Sequence, residues 1–79
     1  MNPTEARDLV LSALADVAPE IETGSLDPDT SLRNGADLDS MDFLAYVAAV
    51  ADAIEADIPE DDYGHMDTVN GAVAYLVAR

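Results

Sequence analysis

The chain has 79 residues, enough for one small domain, and a chain of this length buries only about 60% of the surface that its unfolded form exposes. Such a core is too small for most enzymes. The chain has 17 acidic side chains and only 3 basic ones, none of them Lys, so its formal net charge is −14. Because this charge would repel phosphates, nucleic acid is excluded as an expected partner. The absence of Cys excludes a disulfide-stapled secreted domain and a thiolate metal site, so we expect a cytoplasmic protein.

The charge and the apolar pattern also limit which partners can be expected. The first residues lack the basic segment followed by an apolar segment that is typical of a signal peptide. The longest apolar run, residues 43–51, is far shorter than the ~20 residues that span a bilayer. We therefore expect no membrane insertion. The negative field favours proteins with Arg and Lys on their docking faces, and we expect the chain itself to be a monomer.

The first helix is predicted over residues 3–18. Asn2 can cap it, Pro3 suits its first turn, and Pro19 disfavours helical geometry at Ala18. Apolar residues recur at helical spacing on one side. These are Ala6, Val10, Ala13, Leu14 and Val17.

A turn-rich connection follows over residues 19–39. A structureless loop of this length is uncommon in a compact domain. Ile21, Leu26 and Leu32 interrupt it periodically, so we expect an ordered connection that these three side chains hold against the core.

The second helix is predicted from Met41 to about Ala56, with Asp39 as its cap. Its buried stripe is predicted to comprise Leu44, Val47, Ala48, Ala51 and Ile54. Its outer stripe is predicted to comprise Asp42, Ala45, Ala49, Asp52 and Ala56.

The rest of the chain predicts a short helix and a last main helix. Ile58-Pro59 ends the second helix, and residues 60–63 allow one turn before Gly64. Thr68, or Asp67 beside it, can cap a last helix in which Val69, Val73, Leu76 and Val77 share a face. The predicted class is all-α, a small bundle of three main helices and one short helix.

Ser40 is the candidate functional residue, because it lies where the loop gives way to the apolar run of the second helix. Unpaired amides and the positive end of the dipole favour a phosphate there. Asp39 and Asp42 oppose such an anion, which indicates that they offer charge to a basic partner approaching the hydroxyl. The alternative is that Ser40 is an ordinary capping serine.

Asp39-Ser40-Met41 resembles the modification motif of the acyl carrier protein family, Asp-Ser-Leu or Asp-Ser-Met at the start of the second helix. The resemblance extends over essentially the whole chain, through Ser31-Leu32, the approach Gly35-Ala36-Asp37 and the break at Ile58-Pro59. It implies an acyl-carrier-like bundle. We expect one domain over residues 1–79 and a freestanding carrier, because no linker follows the first residue or precedes the last.

The resemblance implies that a phosphopantetheinyl transferase, using coenzyme A and a magnesium ion, attaches 4′-phosphopantetheine to Ser40. Acyl-loading, condensing or transferring enzymes with basic docking patches would then act on the thioester. The chain itself is expected not to be an enzyme. Residues predicted to dock partners are Asp39, Met41, Asp42, Ala45, Ala49 and Asp52. Candidates for the walls of an acyl-chain site, with core packing as the alternative for each, are Leu44, Val47, Ala48, Ile54 and Val73.

Other functions are weighed against the carrier. A calcium loop opening at Asp27 fails because Leu32 and Leu38 occupy the positions of its Gly and closing Glu. A hydrolase using Ser40 and His65 would need a Gly-x-Ser-x-Gly turn, which the sequence lacks, and His65 is expected in a solvated loop.

The alternative function that stays open is an acidic helical module that mimics nucleic acid, since it would need the charge but not Ser40. Asp39 argues against a peptidyl carrier, while the sequence leaves the acyl cargo and its pathway open.

Overall fold

The computed structural model describes residues 1–36 and 38–79, and within them it contains helices and no strand. Helix α1 is Pro3–Val17, α2 is Ser40–Ala53, a 3₁₀ helix is Glu60–Asp67, and α3 is Val69–Val77. The predicted all-α class with three main helices and one short helix is confirmed. Asp37, part of the predicted approach to Ser40, lies outside the described residues.

Helix α1 begins and ends as its sequence predicts. The Asn2 Oδ1 atom accepts a hydrogen bond of 2.8 Å from the Glu5 amide, and a proline occupies the first turn. The Ala18 amide donates to the Leu14 carbonyl and closes the last turn. Four of the five predicted inner residues are buried, and Val17 is half-buried against the core.

The long connection is ordered by the side chains that the sequence singles out. Leu32 is fully buried, while Ile21 and Leu26 are half-buried and pack against the core. Backbone hydrogen bonds between near neighbours, such as that from the Ile21 amide to the Ala18 carbonyl, add local turns. The prediction of an ordered connection is confirmed for its described part, residues 19–36 and 38–39.

The buried face of α2 differs from the predicted stripe. Leu44 and Ala48 are exposed, so the prediction was wrong for them, and Ala51 and Ile54 are only half-buried. The helix is apolar around much of its circumference, and the larger aromatic side chains take the interior instead. The buried residues, spaced as one helical face, are Phe43, Tyr46, Val47 and Val50.

Helix α2 also ends earlier than the predicted Ala56. Glu55 has a φ of 55°, in the left-handed region, which stops the helix after Ala53. The Ala56 amide donates to the Ala51 carbonyl, and the Glu55 amide donates to the Asp52 carbonyl. This is a Schellman ending, in which glycine usually holds the left-handed position. With Glu there, nothing in the sequence signalled the stop.

The 3₁₀ helix runs to Asp67 rather than ending before Gly64. A close approach joins it to α3, because a Cβ atom on Gly71 would lie only 2.5 Å from the His65 carbonyl oxygen. Thr68 caps α3 as predicted, its Oγ1 accepting from the Gly71 amide at 2.9 Å. Of the four residues predicted to share a face of α3, Val69 and Leu76 are buried, Val73 is half-buried and Val77 is 38% exposed.

The core lies among these helices, with α1 contacting both α2 and α3 and with α3 contacting the 3₁₀ helix. The 16 residues that form it are all hydrophobic, and no buried polar or charged side chain accompanies them in the part of the chain that the structure describes. Among residues 1–36 and 38–79, none of the helices has the length and apolar character needed to cross a bilayer.

Candidate functional site

At the start of α2, the residue that caps the helix is Asp39 and not Ser40. The Asp39 Oδ1 atom accepts a hydrogen bond of 2.8 Å from the Asp42 amide, so Asp39 is the cap as predicted. Ser40 is the first residue of the helix itself. The alternative in which Ser40 serves as the helix cap is therefore wrong for this chain.

The Ser40 hydroxyl is available to an approaching molecule. The residue is exposed, and within residues 1–36 and 38–79 no side-chain hydrogen bond involves its Oγ atom. It lies at the positive end of a 14-residue helix, whose first-turn amides favour an anion. These amides would thus favour a phosphate attached at this oxygen, although the neighbouring carboxylates of Asp39 and Asp42 oppose it.

Four of the six residues predicted to dock partners are exposed, and two of these, Asp39 and Met41, flank Ser40 in the sequence. Met41 is 80% exposed and the neighbouring Leu44 is 51% exposed, and both exposed fractions are large for apolar side chains of this size. Of the other predicted docking residues, Asp39, Ala45 and Asp52 are exposed, while Asp42 and Ala49 are half-buried. Apolar contact area and negative charge therefore lie side by side next to the hydroxyl.

An open groove of about 700 Å³ begins one turn after Ser40 and follows the same side of α2. Three of the predicted acyl-chain residues, Leu44, Val47 and Ala48, line it together. Ile54 and Val73 are not among its lining residues, and both pack against the core. The remaining lining residues are Ala51, Asp52, Glu55, Ala56, Asp57, Ile58 and Tyr63.

Comparison with known proteins agrees with this arrangement. A family model described as "Phosphopantetheine attachment site" matches residues 8–76. An acyl carrier protein of Lactobacillus johnsonii is 33% identical over 70 residues, which cover 85% of this chain and 88% of the relative. The chain belongs to the acyl carrier protein family. The prosthetic group of the family is 4′-phosphopantetheine, attached covalently.

Other acyl carrier proteins show a similar level of identity. That of Lactobacillus acidophilus is 32% identical over 57 residues, covering 72% of this chain and 71% of the relative. That of Streptomyces coelicolor is 31% identical over 72 residues, covering 91% and 74%. No solved structure was found to match the chain.

This acyl carrier protein also contains a polar cluster that sequence reasoning missed. Asp67, at the end of the 3₁₀ helix, accepts from the Ser31 hydroxyl at 2.6 Å and from Arg33 Nε at 3.0 Å. Partial burial acts to raise the pKa of Asp67, but the hydrogen bonds from Ser31 and Arg33 outweigh it and hold that pKa below its usual range. Because these residues are 34 to 36 positions apart, local patterns could not pair them.

Aromatic side chains fill the space between α2 and the 3₁₀ helix. The ring of Phe43 lies 5.9 Å from that of Tyr46 and 6.2 Å from that of Tyr63, and the Arg33 guanidinium lies 4.5 Å above it. The Tyr46 hydroxyl donates to the Met66 carbonyl at 3.1 Å. Burial, together with the charge of Asp67, raises the pKa of Tyr46, so its hydroxyl stays protonated and continues to donate.

Residues weighed for other chemistry have structural partners. His65 lies in the 3₁₀ helix rather than in the predicted loop, exposed and stacked on Tyr75 at 5.8 Å between ring centres. Asp27, considered for calcium, accepts from the Asp29 amide at 2.9 Å. The Asp29 side chain accepts from the Asn70 side-chain amide at 2.7 Å.

Proposed function

We propose that this chain carries acyl groups as thioesters on a 4′-phosphopantetheine arm attached to the Ser40 hydroxyl, and that it is not itself an enzyme. One observation carries the proposal. Asp39 supplies the helix cap, which leaves the Ser40 hydroxyl exposed and free of that task at the positive end of α2. The family match over residues 8–76 supports the same prosthetic group.

Attachment requires one bond to form and one to break. The Ser40 Oγ atom bonds to the phosphorus of the phosphopantetheine portion of coenzyme A, the remainder of coenzyme A leaves, and the hydroxyl proton is lost to solvent or to the transferase. When bound, the arm supplies a thiol that forms thioesters with acyl groups. The chain's own contribution is the exposed hydroxyl and the first-turn amides, which stabilise the phosphate.

Partner enzymes are proposed to approach the surface around Ser40. Asp39, Asp42 and Asp52 would attract a basic patch, while Met41 and Leu44 offer apolar contact area. Ala45 and Ala49 are small enough to let a partner surface lie close to the helix. We propose a phosphopantetheinyl transferase and acyl-loading, condensing or transferring enzymes as these partners. We further propose that residues 1–79 act as one monomeric unit in the cytoplasm.

The test is transfer from coenzyme A by a broad-specificity phosphopantetheinyl transferase, followed by mass spectrometry of the intact protein. We expect one arm on the unaltered chain and none on Ser40→Ala. Ser25→Ala, which removes another exposed serine hydroxyl, is the matched control and should still be modified. A chain that stays unmodified, or an arm that persists on Ser40→Ala, would overturn the proposal and favour an acidic interaction module.

A further inference from the structure

The loop that precedes α2 is fastened to the junction between the 3₁₀ helix and α3. The Leu32 amide donates to the Asp67 carbonyl at 2.7 Å, and the Asp67 carboxylate accepts from the Ser31 hydroxyl and from the Arg33 amide and Nε. The Asn70 amide donates to the Pro28 carbonyl at 2.9 Å. This junction uses main-chain and side-chain groups together, and the Asp67 side chain is only 16% exposed.

From this junction, backbone hydrogen bonds continue toward Ser40. The Ser31 carbonyl accepts from the amides of Gly35 and Ala36 at 2.7 and 3.1 Å. The Leu32 carbonyl accepts from the Leu38 amide at 3.0 Å. Leu38 is buried and directly precedes the cap residue of α2. Of the three residues that Asp67 fastens, Ser31 and Leu32 therefore also hold the chain entering the helix.

A second connection reaches α2 through a side chain of the loop rather than through its backbone. The Arg33 guanidinium, paired with Asp67, lies 4.5 Å above the Phe43 ring. Phe43 lies on the buried face of α2, in the same first turn as Ser40. Fixing the guanidinium on Asp67 therefore also constrains the first turn of α2. Arg33–Asp67 is the one salt bridge found among residues 1–36 and 38–79.

We infer that Asp67 is a positioning residue for Ser40, holding the start of α2 in the orientation in which the transferase receives the hydroxyl. The inference rests on the proposed function and adds a residue distant in sequence from the modified serine. The Asp67 carboxylate acts through Ser31 and Arg33, the residues on either side of Leu32, and does not touch the reacting atoms. Removing its carboxylate should loosen the approach to α2 while the rest of the core remains folded.

The first test is amide hydrogen exchange in the unmodified protein, which requires no arm. In Asp67→Ala, we expect exchange at Leu38 to accelerate about tenfold, the effect of losing charge-assisted hydrogen bonds, relative to exchange at Val10 in the core of α1. Asp62→Ala is the matched control, because it removes an acidic residue of the same 3₁₀ helix whose carboxylate accepts from Tyr75. Equal acceleration in the two variants, or none at Leu38 in Asp67→Ala, would overturn the inference.

The second test measures kcat/KM for transfer of the arm to Ser40. We expect Asp67→Ala to lower it several-fold, up to about tenfold, because a small misplacement of a reacting group is costly. Asp62→Ala should stay within about twofold, since its contact lies outside the loop junction. Asp67→Asn keeps a side-chain oxygen that can accept from Arg33, so it should recover part of the loss.

Ser31→Ala keeps the test informative if Asp67→Ala fails to fold, since it removes a single hydroxyl from the same junction. We expect it to accelerate exchange at Leu38 in the same direction. Unchanged exchange and unchanged transfer in Ser31→Ala and Asp67→Asn together would contradict the positioning role. Failure of the unaltered chain to accept an arm would instead contradict the proposed function, while the exchange result would still report on the junction.

Discussion

The two faces of α2 are both apolar, yet only one of them is buried. The inner face places Phe43 and Tyr46 against the 3₁₀ helix, where the Tyr46 hydroxyl also finds a backbone acceptor. The outer face begins at Ser40 and exposes Met41 and Leu44 to solvent. Buried area stabilises the fold, whereas exposed apolar area next to an exposed hydroxyl is available to a partner. In the proposed function, one helix thus uses one face for stability and another for recognition.

The largest expected effect contrasts two adjacent residues on these faces. Phe43→Ala should lower the free energy of unfolding by about 3–5 kcal/mol, because it empties a buried aromatic site. Leu44→Ala should lower the free energy of unfolding by no more than about 0.5–1 kcal/mol, since half of that residue is already exposed. Urea unfolding followed by circular dichroism measures both. Similar losses in the two variants would show that the faces are not divided in this way.

The next prediction concerns the 3₁₀ helix against which the inner face packs. Gly71→Ala should destabilise the fold by about 1–3 kcal/mol, because the added methyl group would collide with the His65 carbonyl. This is opposite to the gain expected from replacing glycine in an unconstrained helix. The control is Gly64→Ala, where an added Cβ would meet no atom within 4 Å. A Gly71→Ala variant as stable as the unaltered chain would place α3 farther from the 3₁₀ helix.

A smaller effect is expected where α2 ends. Glu55→Gly should raise the free energy of unfolding by about 1 kcal/mol, because glycine adopts a left-handed φ without the cost that Glu incurs. Glu55→Gln separates the backbone effect from charge, as it removes only the unfavourable negative charge near the helix C-terminus. Thermal unfolding of the three proteins measures the difference. Equal stabilisation by Gly and Gln would mean that charge, not backbone conformation, is responsible.

The smallest effect concerns the acid dependence of the junction at Asp67. Its pKa is lowered in the folded protein, so its ionised form stabilises the fold above the unfolded pKa of about 4, and this contribution is lost as pH falls toward the folded value. Stability measured from pH 7 to pH 3 should therefore decline less steeply in Asp67→Asn. Parallel curves for Asp67→Asn and the unaltered chain would contradict the ionic role of this carboxylate.

Local rules predicted the parts of this molecule that depend on neighbouring residues. The caps at Asn2, Asp39 and Thr68 are formed by side chains that accept from amides three residues on, and all three are in the sequence pattern. The inner face of α2 could not be predicted by apolarity alone, because two overlapping stripes were available. The Asp67 junction and the end of α2 at Glu55 depend on distant contacts or an unusual backbone angle, which no local pattern encodes.

The central claim is that the exposed hydroxyl of Ser40 carries the phosphopantetheine arm. Peptide mass spectrometry of the protein purified from its native host tests this claim most directly. The account predicts phosphopantetheine, with or without an acyl group, on the peptide that contains Ser40. The same spectrum would identify the cargo. Protein that carries no phosphopantetheine, or carries it on a residue other than Ser40, would contradict the account.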